Sequence, residues 1–174
     1  VQGGIKGGIE RAGKWMMPAL FIFFVLLAIR SLTLDGAIEG VKFMFVPDWS
    51  YLNMETLLNA LGLAFFSLSV GVGAMITYAS YLPKSETITS SAFNVAWMNI
   101  AISILAGLVI FPAVFALGYS PTQGPGLVFI ILPAVFEQIP MGSVLVIVFF
   151  ILLLFATLTS SISLLEITVS VFVK

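Results

Sequence analysis

Between Glu86 and Glu137 the chain carries no charged residue. One helix through a bilayer core of about 30 Å takes roughly 20 apolar residues, so this run is too long for a single crossing. No soluble core needs an uncharged stretch of that length. Charge is scarce elsewhere too. Only 9% of the 174 residues are Asp, Glu, Lys or Arg, and 60% are hydrophobic. Soluble domains carry about 25% charged residues. These figures exclude a soluble enzyme and a disordered segment. With seven Lys and Arg against eight Asp and Glu, there is no basic face for nucleic acid. Cys and His are both absent, which removes disulfides, thiol chemistry, histidine bases and the usual zinc or haem ligands. The reading is an all-α polytopic membrane protein.

The charges punctuate the spans. Lys14 and Arg30 bracket an apolar run that extends to about residue 34, because Arg30 can snorkel from a helix end. A second run lies between Glu55 and Lys84. The long uncharged stretch breaks at the turn-rich segment Gly118-Tyr-Ser-Pro-Thr-Gln-Gly-Pro-Gly126. The last run is interrupted only by Glu166. Four spans are expected, near 15–34, 57–81, 88–117 and 143–173. Residues 119–142 are too apolar for a free loop and too short for a span, and read as a re-entrant external segment. Lys6, Arg11, Lys14, Lys84 and Lys174 fall on one side, opposite Asp35, Glu39, Asp48 and Glu55. By the positive-inside rule both ends are cytoplasmic, in a multi-pass protein of the cell membrane. The start at Val1, without methionine or signal peptide, reads as a fragment of a longer chain.

Polar residues deep in the spans carry the functional signal. The second span contains Phe66-Ser67-Leu68-Ser69-Val70-Gly71-Val72-Gly73. Small-residue helix packing would explain it. So would a broken helix, tolerated at membrane depth only where it lines a cavity, as at transporter sites. In the fourth span Ala156, Thr159, Ser160, Ser163, Ile167 and Ser170 recur at helical spacing on one face. Their hydroxyls either bond back to their own helix or offer neutral oxygens to a hard cation. Asn99 and Ser103 lie one turn apart in the third span. Glu166 needs a partner, a protonated state, or a place nearer the cytoplasmic end.

The run from Phe65 to Tyr81, with its Ser-Leu-Ser-Val-Gly-Val-Gly core, resembles the sixth helix of the neurotransmitter:sodium symporter family, in its bacterial amino-acid branch. Arg30 to Ala37 with Pro47-Asp48-Trp49 resembles the loop before that helix. Gly124 to Pro133 resembles the external lid loop, and Leu158-Thr159-Ser160-Ser161-Ile162 the eighth helix. The resemblance implies helices five to eight of a carrier of roughly twelve, with an inverted-repeat fold and its sixth helix unwound. It implies sodium-coupled symport of amino acids by alternating access, and no enzymatic activity. Its partners would be the lipid bilayer, an amino-acid substrate and the carrier's remaining helices.

Carried over by position, the resemblance implies substrate contacts at Phe66, Ser67, Ser69, Val72, Ser160 and Leu164. One sodium would meet Ser67 and Asn99. The other would meet the Ala156 carbonyl with Thr159 and Ser160. Serine at Ser103 resembles chloride-requiring members, which makes Ser67, Asn99 and Ser103 a candidate chloride set. Gly71 and Gly73 at the break, and the Gly8–Pro18 pair that resembles a glycine–nine–proline pattern, are candidate gating positions. Patterning alone reads Val72 and Leu164 as core. A hydrophobic or aromatic substrate is expected, since no charged residue falls among the carried-over positions. The alternative is a non-transporting scaffold subunit whose small residues only pack helices.

Overall fold

The computed structural model describes residues 10–71, 73–83, 85–122, 124, 126–138 and 140–173. Gly8 and Val72 lie outside the described residues. Among the described residues seven α-helices follow one another: α1 (Glu10–Leu32), α2 (Ala37–Phe45), α3 (Met54–Ser67), α4 (Ala74–Ala79), α5 (Ile88–Ala116), α6 (Gly126–Phe136) and α7 (Gly142–Val173). Three are long and apolar enough to cross a membrane: Gly13–Leu32, Ile88–Ala116 and Gly142–Val169. The second span, expected near 57–81 with an unwound middle, is two shorter helices, α3 and α4, with a break between them. Helix α1 runs through Pro18 without interruption, so that position is helical here rather than unwound.

The chain forms two compact units, with boundaries inside α5 and α7. The first comprises residues 1–47 and 104–159. Its core is α6, of whose eleven residues Leu127, Ile131, Leu132, Val135 and Phe136 are buried. At 1.5 Å per residue α6 is about 16 Å long, too short to span. Leu27 and Ala28 of α1, Val109, Ala113 and Val114 of α5 and Phe149 of α7 pack around it. The Phe149 ring lies 5.8 Å from those of both Phe24 and Phe136. Buried Ser31 donates its hydroxyl to the Val109 carbonyl at 2.8 Å. The loop expected between the first two spans holds α2. This helix starts at Gly36, whose φ of +89° suits glycine, and it seats Gly40 on α5.

A Cβ on Gly40 would fall on the Phe111 carbonyl and the Pro112 Cα. Both are backbone and cannot swing aside. Gly40→Ala is therefore expected to cost about 1–3 kcal/mol, the usual range for overpacking. Thermal unfolding of purified protein checks this, and an unchanged midpoint would mean that α2 is not seated on α5.

The second unit comprises residues 48–103 and 160–174. Asp48 opens a single 3-10 turn, accepting from the Ser50 hydroxyl at 2.6 Å and the Ser50 amide at 3.0 Å. These bonds hold its carboxyl below the usual aspartate range. Asn53 caps α3 by accepting from Thr56 N at 2.8 Å, which satisfies one of the amides a helix start leaves open. No residue of α3 is buried. Leu57, Leu58, Leu61, Leu63 and Phe66 are all exposed, an apolar surface stable only against lipid or further helices.

Candidate functional site

The break after α3 is built by its own backbone. Ser69 N donates to the Phe66 carbonyl and Val70 N to the Phe65 carbonyl, both at 3.0 Å. Ser69 has a φ of +54°. This is the Schellman arrangement, with a left-handed residue just past the helix end. Serine occupies the position that glycine usually takes. Gly71 and Gly73 follow with φ of +91° and +82°, and α4 restarts at Ala74. The α3 ladder thus ends at Ser67, with the Phe65 and Phe66 carbonyls taken up by the Schellman bonds rather than by a continuing helix.

A cleft of about 370 Å³ lies at this break. Ser67, Ser69, Asn99, Ser160 and Leu164 line it, with Met75, Tyr78, Val95, Ser163 and Ile167. Of the positions expected to meet substrate, it brings together Ser67, Ser69, Ser160 and Leu164. Phe66 is not in its lining and is 80% exposed, because at the end of α3 it points away from the side on which Ser67 sits. Sequence reasoning missed Tyr78, Met75 and Val95. Val95 lies one turn before Asn99 on α5, so helical spacing could have found it. Nothing in the sequence signals Tyr78, whose buried hydroxyl has no hydrogen-bond partner among the described residues.

Ser67 donates its hydroxyl to Asn99 Oδ1 at 2.9 Å, joining α3 to α5. Ser103 is not in the cleft lining. Its hydroxyl donates to the Asn99 backbone carbonyl at 2.8 Å, the local bond that serine makes one turn back in a helix. Both hydroxyl protons expected for chloride are therefore engaged with Asn99 in this arrangement. On α7, Thr159 donates to the Ala156 carbonyl at 2.8 Å. Glu166 accepts from the Tyr81 hydroxyl at 3.0 Å, a partner within this chain that sequence spacing could not reveal.

No group of three or more His, Cys, Asp or Glu that could hold a metal occurs among the described residues. A cation here would be bound by neutral oxygens. Ser67 Oγ and Asn99 Oδ1, and likewise Thr159 Oγ1 and the Ala156 carbonyl, form close oxygen pairs of the hard type that suits an alkali cation. The donor chemistry fits sodium and excludes a soft transition metal.

The profile of the sodium:neurotransmitter symporter family matches residues 1–174. An uncharacterized sodium-dependent transporter of Bacillus subtilis, YhdH, is 54% identical across 96% of this chain and 37% of its own length. One from Haemophilus influenzae is 45% identical across 96% of this chain and 36% of its own. Among solved structures, MhsT in complex with L-phenylalanine superposes with a TM-score of 0.89 at 52% identity, covering 95% of this chain and 38% of that one. The chain thus spans little more than a third of the length of these relatives, and the Bacillus and Haemophilus proteins are sodium-dependent transporters, not enzymes. Matched along its whole length and carrying an interrupted helix with a cleft beside it, the chain belongs to the sodium:neurotransmitter symporter family.

Proposed function

We propose that this chain forms part of a sodium-coupled symporter for hydrophobic amino acids, aromatic ones included, which works by alternating access. The cleft at the helix break carries the reading. It sets neutral oxygens of Ser67, Ser69, Asn99 and Ser160 against apolar Leu164, Met75 and Val95. Among the described residues no charged side chain is in its lining, so a charged substrate side chain would lose water without gaining a partner. MhsT, whose structure holds L-phenylalanine, supports the aromatic end of the range. Phe66 and Val72 are proposed to close the pocket in the whole carrier. Gly71 and Gly73 serve as the hinge, and Gly8 with Pro18 as a cytoplasmic gate. The Lys and Arg toward both ends support a cytoplasmic side for them by the positive-inside rule.

One sodium is assigned to Ser67 and Asn99, the other to Ala156, Thr159 and Ser160. When bound, sodium supplies positive charge that holds the substrate carboxylate. The chain's own part is to present oxygens in a fixed array and to exclude water. Binding of a panel of amino acids to the full-length protein, with sodium or with potassium, tests the proposal. Leucine and phenylalanine should bind only with sodium, and glutamate and lysine not at all. Sodium-independent binding, or preference for a charged amino acid, would overturn it, and no binding of any would favour the scaffold reading.

Chloride is proposed as a second ion at Ser67, Asn99 and Ser103. Hydroxyl rotors turn freely, so Ser67 and Ser103 can redirect their protons from Asn99 to an anion. A nearby negative charge offsets repulsion between packed cations in a low-dielectric site. Replacing chloride with gluconate should slow uptake, and Ser103→Glu should make uptake chloride-independent. Full uptake without halide in the unmutated protein would refute this assignment.

A further inference from the structure

The external end of α1 carries a second feature, unrelated to the cleft. Arg30 sits in the last turn of α1 and is half-buried. Its guanidinium donates to Thr33 Oγ1 at 3.1 Å and to the Gln138 carbonyl at 3.2 Å. Gln138 lies just past the C-terminus of α6, where a cation is favoured. These two bonds do not exhaust the guanidinium's fork of N–H donors.

Two cavities meet at this side chain. A polar one of about 360 Å³ is lined by Arg30, Asp35 and Gln138 among others. An apolar one of about 270 Å³ is lined by Phe23, Leu26, Phe136 and Leu145, and it shares Arg30 and Thr33 with the first. Along α1 the apolar cavity runs from Arg30 back to Phe23, about 10 Å at helical rise. The polar space therefore lies at the end of a membrane-spanning helix, and the apolar space extends from it toward the helix middle. Asp35 lines the polar cavity too, and no ion pair joins it to Arg30 among the described residues.

We propose that this is a binding site for a phospholipid with an ethanolamine headgroup. The phosphate takes the remaining donors of Arg30, as guanidinium forks favour phosphate oxygens. The ammonium meets Asp35, and an acyl chain enters the apolar cavity. Headgroup polarity and tail direction both match the order of the two cavities. A purely anionic headgroup would meet repulsion from Asp35. A choline headgroup keeps the cation but has no N–H to donate. A free zwitterion would satisfy Arg30 and Asp35 but leave the apolar cavity unfilled.

Native mass spectrometry of the detergent-purified full-length protein tests this. Phosphatidylethanolamine, phosphatidylcholine and phosphatidylglycerol with identical acyl chains are compared with water-soluble phosphoethanolamine. Phosphatidylethanolamine should be retained best. Arg30→Gln should lower its retention about tenfold, as expected for losing a hydrogen bond to a charged group, with Arg30→Lys between the two. Asp35→Asn should bring phosphatidylglycerol level with phosphatidylethanolamine. Asp35 is exposed and makes no bond that the fold depends on, so this variant decides the matter should Arg30→Gln not fold. Equal retention of phosphatidylethanolamine by both variants and the parent, or no headgroup preference in the parent, would overturn the site. Occupancy by phosphoethanolamine equal to that of the lipid would overturn the lipid assignment.

Discussion

Asn99→Leu in the full-length carrier is expected to weaken sodium-dependent substrate binding by roughly 10- to 100-fold, the equivalent of about 1.5–3 kcal/mol for one hydrogen-bond-like contact to a charged group. Asn99 Oδ1 already accepts from Ser67 at 2.9 Å, so the two oxygens sit where one cation could touch both. Leucine removes one of them and leaves the Ser67 hydroxyl without its acceptor. The fold should survive, because leucine is a strong helix former and Asn99 lies within the 29-residue helix α5. Thr159→Val, which keeps shape and removes an oxygen, should act in the same direction on the other sodium. Asn99→Asp keeps the side-chain oxygen and should retain sodium binding. Equilibrium substrate binding against sodium concentration, with thermal unfolding as the control, separates the outcomes. Unchanged sodium affinity in Asn99→Leu would remove Asn99 from the ion site.

Much of this site was legible because membrane-buried polar groups are costly and therefore few. In the second apolar run, Ser67, Ser69, Gly71 and Gly73 stand out against apolar neighbours, and the break falls there. The hydroxyl face of α7 was visible from spacing alone, and Ser160 and Ser163 line the cleft. Helix α2 was not legible. Its nine residues include Glu39 and Lys42, so it reads as polar loop, and its seating on α5 depends on the close approach of Gly40 to Phe111 and Pro112, which no local period signals. Tyr81 and Glu166 are 85 residues apart, and no local period connects them. Phe66 illustrates a different limit. Its neighbour Ser67 lines the cleft, but successive positions on a helix point about 100° apart, so adjacency in sequence does not place Phe66 there. Arg30 reads from the sequence as a snorkelling helix end. Its bond to Gln138, 108 residues on, appears only once α6 has folded back.

Replacing both glycines at the break, Gly71→Ala with Gly73→Ala, is expected to destabilise the protein by about 2–4 kcal/mol, since a left-handed backbone costs an L-residue about 1–2 kcal/mol at each position. The sign is the decisive part. In an uninterrupted helix the same pair of changes would stabilise, because interior glycine costs about 1 kcal/mol relative to alanine. Steric crowding cannot produce the loss. A Cβ at Gly71 meets nothing within 4 Å, and at Gly73 it meets only the Ile167 Cγ2 at an ordinary 3.6 Å. The cost is therefore conformational, set by φ of +91° and +82°. Gly71→Asn should be milder than Gly71→Ala, as asparagine tolerates the left-handed region best after glycine. Ser69→Gly should relieve strain at its φ of +54° while removing a hydroxyl from the cleft, so it should raise the unfolding temperature and weaken substrate binding together. Thermal unfolding and substrate affinity of the purified full-length variants read both quantities. A double alanine variant that is more stable than the parent would mean that the second span is a continuous helix, and the cleft, which exists only because the chain departs from helix between Ser67 and Gly73, would then have no basis.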